Sequence, residues 1–250
     1  MPLQYDALLL AAGEGTRLRP ITLQTPKCLV PILGRPLLGY WLNLLGRGPR
    51  PEQIWVNTSY LEDKVAAFLT ASQSSHPELQ ISSSFEPELL GTAGTLIQLL
   101  PKLDSSHDLL LVHADNLSWF NLEAFLSAHA NRPAGAEITM MTFETDAPQT
   151  CGIVELDTQG VVQAFHEKVA NPPSNLANGA VYLLSPAARA RIASLGPVFE
   201  FSTQVIPAFM GKIYCWQNMV YHRDIGNPQA YLAAQTEFRP IAEQFELITA

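Results

Sequence analysis

Residues 9–27 read LLAAGEGTRLRPITLQTPK, and this stretch decides the fold. The apolar run 7–11 has the composition of a buried strand. It opens directly into the turn Gly13-Glu14-Gly15-Thr16, followed by Arg17, Arg19 and, after Pro26, Lys27. Glycines let backbone N–H groups approach anionic oxygens, and closely spaced cations offset charge on phosphorus. Two familiar glycine-rich patterns do not fit. A dinucleotide-binding turn needs a small residue where Leu18 stands beside Arg17, and no Gly-Lys-Ser/Thr follows as a P-loop requires. An ordinary surface turn leaves unexplained why cations gather here in a chain whose net charge is −8. The stretch reads as a turn that handles phosphate.

Further apolar runs suited to buried strands lie at 54–57, 109–113 and 138–143, with helical spacing between them. Leu61, Val65, Phe68 and Leu69 fall on one predicted face, and Leu122, Phe125, Leu126 and His129 on another. Thr92 is a plausible cap for a helix that turns Leu96, Leu99 and Leu100 inward. Tyr40 and Trp41 suit the core of a helix. Strands alternating with helices predict an α/β fold, a mostly parallel sheet covered on both faces. The second half changes character. Runs 151–156 and 161–166 flank Asp157-Thr158-Gln159-Gly160 as a hairpin, and further strands are expected at 180–184, 214–216 and 220–224. A short helix suits 186–195, and Asn227-Pro228 opens the last one. The expectation is one domain over 1–250, with a nucleotide half at about 1–135 and a more antiparallel half at about 136–240. No hexapeptide repeat follows Asp224, so no C-terminal β-helix is expected.

Composition narrows the class. Of 250 residues, 47% are hydrophobic, yet no apolar run is long enough to span a bilayer. The first residues lack a basic segment followed by a long apolar one, so no signal peptide is expected. Three cysteines (Cys28, Cys151 and Cys215) are widely spaced and odd in number, which points to reduced thiols and a cytoplasmic location. The negative net charge argues against non-specific nucleic-acid binding, and no membrane partner is expected.

Four more constellations carry chemistry. Asp115-Asn116 follows one strand and Asp224-Ile225-Gly226 ends another, where parallel sheets place ligands. Two such aspartates could share Mg²⁺ with phosphate oxygens, or each could merely cap a turn. Glu86-Pro87-Glu88-Leu89-Leu90-Gly91-Thr92-Ala93-Gly94 offers an extended turn and free helix N–H groups suited to a base or ribose. Glu167-Lys168 and Asn178-Gly179-Ala180 would suit a sugar phosphate: a point charge beside a carboxylate and an amide. A solvated ion pair is the commoner meaning of a lone Glu-Lys. His113 and His166 lack partners at ligand spacing and read as packed or hydrogen-bonded histidines.

In this order the motifs LAAGEGTRLRP…PK, EPELLGTAG, ADN, EK, NGAVY and DIGNP resemble the sugar-1-phosphate nucleotidylyltransferases, over about residues 8–231. The likeness is greatest to mannose-1-phosphate guanylyltransferase-type proteins. It implies a Rossmann-like, three-layer doubly wound fold of the nucleotide-diphospho-sugar transferase type. It implies that Leu10, Ala12, Gly13, Gly15, Thr16 and Arg17 surround the nucleotide, with Arg17 on the departing pyrophosphate and Lys27 near the α-phosphate. Glu86, Gly91 and Thr92 would line the base side. Gly152, Glu167, Lys168 and Asn178 would hold the sugar phosphate, while Asp115 and Asp224 would hold Mg²⁺. Arg17, Lys27 and Asp115 are the catalytic set on this reading. The chain departs from the pattern at Ala12, Ala114 and Ala180, where glycine is frequent, at Cys151 for tyrosine and at Val169 for proline.

The reaction so implied is attack by a sugar 1-phosphate oxygen on the α-phosphorus of a nucleoside triphosphate. The nucleophile is already anionic, so positive charge is needed more than a general base. Glu86 favours GTP: a carboxylate accepts two hydrogen bonds side by side, matching the adjacent ring N–H and amino donors of guanine. Glu88 competes for this role, and an ordinary charged loop residue at Glu86 would instead point to solvent. Mannose 1-phosphate is the expected acceptor, with UTP or dTTP and another sugar as the alternative. A glycosyltransferase on a similar fold would not need the Arg17/Lys27 pair. A nucleotide-sugar sensor would not need every charged residue of the set.

Overall fold

The computed structural model describes residues 3–247. In chain order the strands are β1 (Tyr5–Leu10), β2 (Pro31–Ile32), β3 (Arg35–Pro36), β4 (Ile54–Thr58) and β5 (Ile81–Phe85). Next come β6 (Asp108–His113), β7 (Asn116–Trp119), β8 (Ile138–Glu144) and β9 (Gly152–Leu156). The last are β10 (Val162–Glu167), β11 (Leu176–Leu184), β12 (Ile213–Gln217) and β13 (Tyr221–Asp224). Nine of them form a mixed central sheet flanked by helices, in the α/β class the alternation predicts, while β7-β13 and β2-β3 are separate two-stranded ribbons.

The chain divides into two compact units that interleave along the sequence. The first gathers residues up to Leu8 with Leu89–Val112 and Glu123–Met219. Its strands run in the order β10-β9-β11-β6-β1, and β8 pairs with both β11 and β12. Here β11 is antiparallel to β6, β8 and β9, while β12 runs parallel to β8. The core is aliphatic and aromatic: Leu109 to Val112, Phe125, Ile138, Met140, Tyr182 and Phe201 are buried. His129, expected on the inward face of its helix, is fully buried between the Thr139 hydroxyl at 2.7 Å and Asp108 Oδ1 at 3.1 Å. Burial lowers its pKa, so the imidazole stays neutral.

The second unit is built from Leu9–Glu88, His113–Leu122 and the chain from Val220 onward. It holds the end of β1, the parallel pair β4-β5 and the antiparallel ribbon β7-β13. The helix Leu37–Arg47 buries Leu37, Leu38, Tyr40, Trp41, Leu42, Leu44 and Leu45, and the Trp41 indole N–H donates to the Asn116 carbonyl at 3.0 Å. Asn227 caps the helix Pro228–Glu237 by accepting the Ala230 N–H at 2.8 Å, as its position before proline predicts.

Two local expectations are corrected. Thr92 is not a cap: the helix Gly91–Leu99 starts one residue earlier, and the Thr92 hydroxyl instead accepts the Phe201 N–H at 2.7 Å and meets Glu200 at 3.1 Å. Leu61 does not share the face of Val65 and Leu69. It precedes the helix Glu62–Ser75 with a left-handed backbone, φ +50°.

Candidate functional site

In the second unit the glycine turn leaves β1 and is fixed by its own backbone. Gly15 has φ +64°, and its carbonyl accepts the Leu18 N–H at 2.9 Å and the Thr22 hydroxyl at 2.8 Å. A Cβ at Gly15 would lie 2.9 Å from the Cβ of Lys27, so glycine lets the turn close onto the lysine stem. Gly13 has nothing within 4 Å of its absent Cβ. Leu10 and Ala12 are buried beneath the turn, whereas Gly13, Thr16 and Arg17 are exposed. The turn is therefore rigid at its base and open at its rim.

Lys27 is the centre of the charged cluster. Its side chain is only 7% exposed, and Nζ donates to Asp115 Oδ2 at 2.7 Å and to Asp224 Oδ1 at 3.4 Å. Burial alone would lower the lysine pKa, but the two carboxylates outweigh it and hold it above its ordinary value. For Asp115, burial pushes upward, and Lys27 with His113 pulls harder, so the carboxyl lies below the usual range. The β7-β13 ribbon brings the two aspartates together. Its register sets Asp224 opposite Asn116, the immediate neighbour of Asp115. Ala114 N–H donates to the Leu10 carbonyl at 2.9 Å, tying this corner to the root of the glycine turn. Arg17 and Asp224 both crowd Gly226, whose absent Cβ would lie 3.1 Å from Arg17 Nη2 and 2.6 Å from Asp224 Oδ2.

Glu86 also lies in this unit and is 1% exposed rather than turned to solvent. Asn57 Nδ2 donates to Glu86 Oε1 at 3.0 Å, and Asn57 Oδ1 accepts the Ala11 N–H at 2.6 Å. The backbone N–H can only donate, so the amide orientation of Asn57 is fixed. Sequence reading gave Asn57 no role beyond ending a strand. Its signal, a polar residue at the end of the parallel strand β4, was present but weak alone. His222 was missed too. Its Nδ1 lies 2.6 Å from the Ser118 hydroxyl, and burial and Arg223 drive its pKa down to about 3 against the pull of Asp115. It is a neutral support for the ribbon.

In the first unit, three of the expected sugar-phosphate residues lie on the neighbouring strands β10, β9 and β11. Glu167 pairs with Gly152, and Ala177, the neighbour of Asn178, pairs with Ile153, the neighbour of Gly152. A Cβ at Gly152 would lie 2.3 Å from Phe165 Cζ and 2.8 Å from Glu167 Oε2, so a larger residue there would displace both side chains. Lys168 follows with φ +50°, its exposed ammonium 3.3 Å from Glu167 Oε1. Ala180 is also left-handed, φ +53°, a conformation that favours glycine. That conformation costs an alanine about 1–2 kcal/mol. Ala180→Gly should therefore raise the melting temperature by about 1–3 °C after the added flexibility of glycine is subtracted; an unchanged or lower value would contradict it. Gly91, φ +73°, starts its helix under Phe199, whose carbonyl would lie 2.4 Å from a Cβ. His166 is half-buried and lies 2.6 Å from Glu155 Oε1, the hydrogen-bonded of its two expected readings.

Arg17, Lys27, Asp115, Asp224 and Glu86 thus belong to the second unit, and Gly91, Thr92, Gly152, Glu167, Lys168 and Asn178 to the first. Among the described residues no three or more His, Cys, Asp or Glu side chains form a metal cage. Asp115 and Asp224 still fit Mg²⁺. They are hard oxygen donors converging on one cation, and Mg²⁺ is commonly held by one or two carboxylates plus substrate phosphates. No described helix is long and apolar enough to cross a membrane.

Mannose-1-phosphate guanylyltransferase of Mycobacterium tuberculosis is 31% identical over 239 residues, which cover 94% of this chain and 64% of that protein. Mannose-1-phosphate guanyltransferase beta-A of Xenopus laevis is 32% identical over 90% of this chain and 62% of its own length. This chain thus spans just under two thirds of these relatives. Among solved structures, HddC from Yersinia pseudotuberculosis, complexed with GMP-PN, matches with a TM-score of 0.77 at 23% identity, covering 94% of this chain and 100% of that one. At that identity the likeness speaks for the fold. A model of the nucleotidyl transferase family matches residues 6–239, nearly the whole chain, and the chain belongs to that family.

Proposed function

We propose that this protein transfers a nucleotidyl group from GTP to mannose 1-phosphate, releasing pyrophosphate and forming a nucleotide sugar. The observation that carries the reading is the buried Lys27 ammonium between Asp115 and Asp224, at the root of an open glycine turn. The reaction brings two anions together, so its barrier is chiefly electrostatic. A sugar-phosphate oxygen forms a bond to the α-phosphorus while the bond to pyrophosphate breaks. Lys27 stays protonated through neutral pH and opposes the charge that gathers on the α-phosphate. Arg17, exposed beside the turn, neutralises the departing pyrophosphate. Lys168 receives the phosphate of the sugar, and Glu167 and Asn178 its polar groups. Asp115 and Asp224 would hold Mg²⁺, which when bound neutralises phosphate oxygens.

For the base, Glu86 supplies a carboxylate that Asn57 holds in place, and the same amide anchors Ala11 below the turn. This pre-set acceptor suits the paired donors of guanine. Glu86→Gln turns one acceptor into a donor facing a donor. The ratio of kcat/KM for GTP to that for UTP or dTTP should fall on the order of 10²-fold; an unchanged ratio would remove Glu86 from base selection.

The test of the whole reading is a matrix of common nucleoside triphosphates against sugar 1-phosphates, scored by pyrophosphate release with Mg²⁺. GTP with mannose 1-phosphate should be fastest. A faster UTP or dTTP reaction would keep the chemistry and overturn the base, and no release from any pair would overturn the reaction.

A further inference from the structure

Strand β11 is irregular where it passes the sugar-phosphate residues. Its register with β8 pairs Asn178 with Thr142 and then Tyr182 with Met140, so four steps on one strand face two on the other. Bulges of this kind re-aim a side chain. Here the excess is taken up around left-handed Ala180, whose N–H turns back to Asn178 Oδ1 at 2.9 Å. On its other side, Asn178 Nδ2 donates to the Tyr182 phenol oxygen at 2.7 Å. A backbone N–H can only donate, so the amide cannot flip: its carbonyl must face Ala180 and its NH₂ must face Tyr182. The Tyr182 ring is itself fixed, 1% exposed and tilted by 37° against Phe201 with ring centroids 4.6 Å apart.

Resting on the proposed function, we propose that Tyr182 is the positioning residue of the sugar-phosphate site. Buried away from solvent, it holds the Asn178 amide through one hydrogen bond, leaving the second N–H of that amide to be aimed at the substrate. Asn178 is half-buried and adjoins Ala177, whose partner Ile153 adjoins Gly152, the residue paired with Glu167. Closing the bulge needs only the bond from Ala180 to Oδ1. The bond to Tyr182 adds nothing to that closure and fixes the remaining torsional freedom of the donor. Pre-setting a donor in this way lowers the ordering cost of binding, so its loss falls on KM for the ligand that the donor meets.

The experiment uses steady-state pyrophosphate release with GTP and mannose 1-phosphate. If that acceptor is inert, it uses the most active pair of the substrate matrix. Tyr182→Phe should raise KM for the sugar 1-phosphate about 3–10-fold, with kcat, KM for the triphosphate and the melting temperature near wild type. Asn178→Asp keeps the acceptor for Ala180 and loses the amide donor. It should raise the same KM at least as far, and Tyr182→Phe added to it should change nothing further. An unchanged KM in Tyr182→Phe, an equal rise for both substrates with a lowered melting temperature, or full additivity with Asn178→Asp would overturn the inference alone. A wild-type protein inert to every pair would overturn the proposed function and this inference with it.

Discussion

Lys27→Ala should lower kcat by about 10²–10³-fold, equivalent to about 3–4 kcal/mol of transition-state stabilisation, while the protein stays folded. The size follows from placement. The ammonium is almost wholly withdrawn from water, where a charge acts more strongly than on the surface, and it touches both aspartates. Its removal also leaves Asp115 and Asp224 facing each other without the intervening cation, so KM for the triphosphate should rise as well. Single-turnover pyrophosphate release with circular dichroism on the same sample separates lost chemistry from lost structure. Turnover within threefold of wild type would remove Lys27 from the reaction.

Asp115→Asn should be comparably severe in kcat, again about 10²–10³-fold. The amide keeps the shape and removes the charge, so Mg²⁺ would lose one anionic ligand and Lys27 the negative charge of its nearest partner at 2.7 Å. Burial then depresses the lysine pKa against Asp224 alone, and turnover should fall off at lower alkaline pH than in wild type. The acid side has the opposite sign. The Asp115 carboxyl lies below its ordinary value, so its pairing stabilises the fold above about pH 4 and is lost as pH falls through the folded-state pKa. Wild type should therefore lose stability on acidification more steeply than Asp115→Asn in denaturant titrations. Parallel acid profiles, or a normal kcat, would contradict this assignment.

The α/β class was legible because β1, β4, β6 and β8 are near-continuous apolar runs, as buried strands require. Strand β5 was not legible. Its sequence ISSSF carries no apolar alternation, and it forms through parallel pairing with β4 and the Gln53 amide bridging to Gln80 and Ser82. Strand β7 was hidden for another reason: Asp115-Asn116 reads as the end of β6, and only pairing with distant β13 makes the next residues a strand. That unseen ribbon brings Asp115 and Asp224 to one ammonium, so sequence reading could name both aspartates without showing why they meet. Asn57 escaped because its work is done through other residues, a backbone N–H on one side and a carboxylate on the other.

The contacts of Lys27 span 88 residues to Asp115 and 197 to Asp224. During synthesis the glycine turn and its lysine leave the ribosome long before the second aspartate, which follows 197 residues after Lys27. Until then a buried ammonium has half its counter-charge, and contacts that close over such distances form late and slowly. The charged cluster therefore completes itself late in folding, once the β7-β13 ribbon has carried Asp224 back to the lysine.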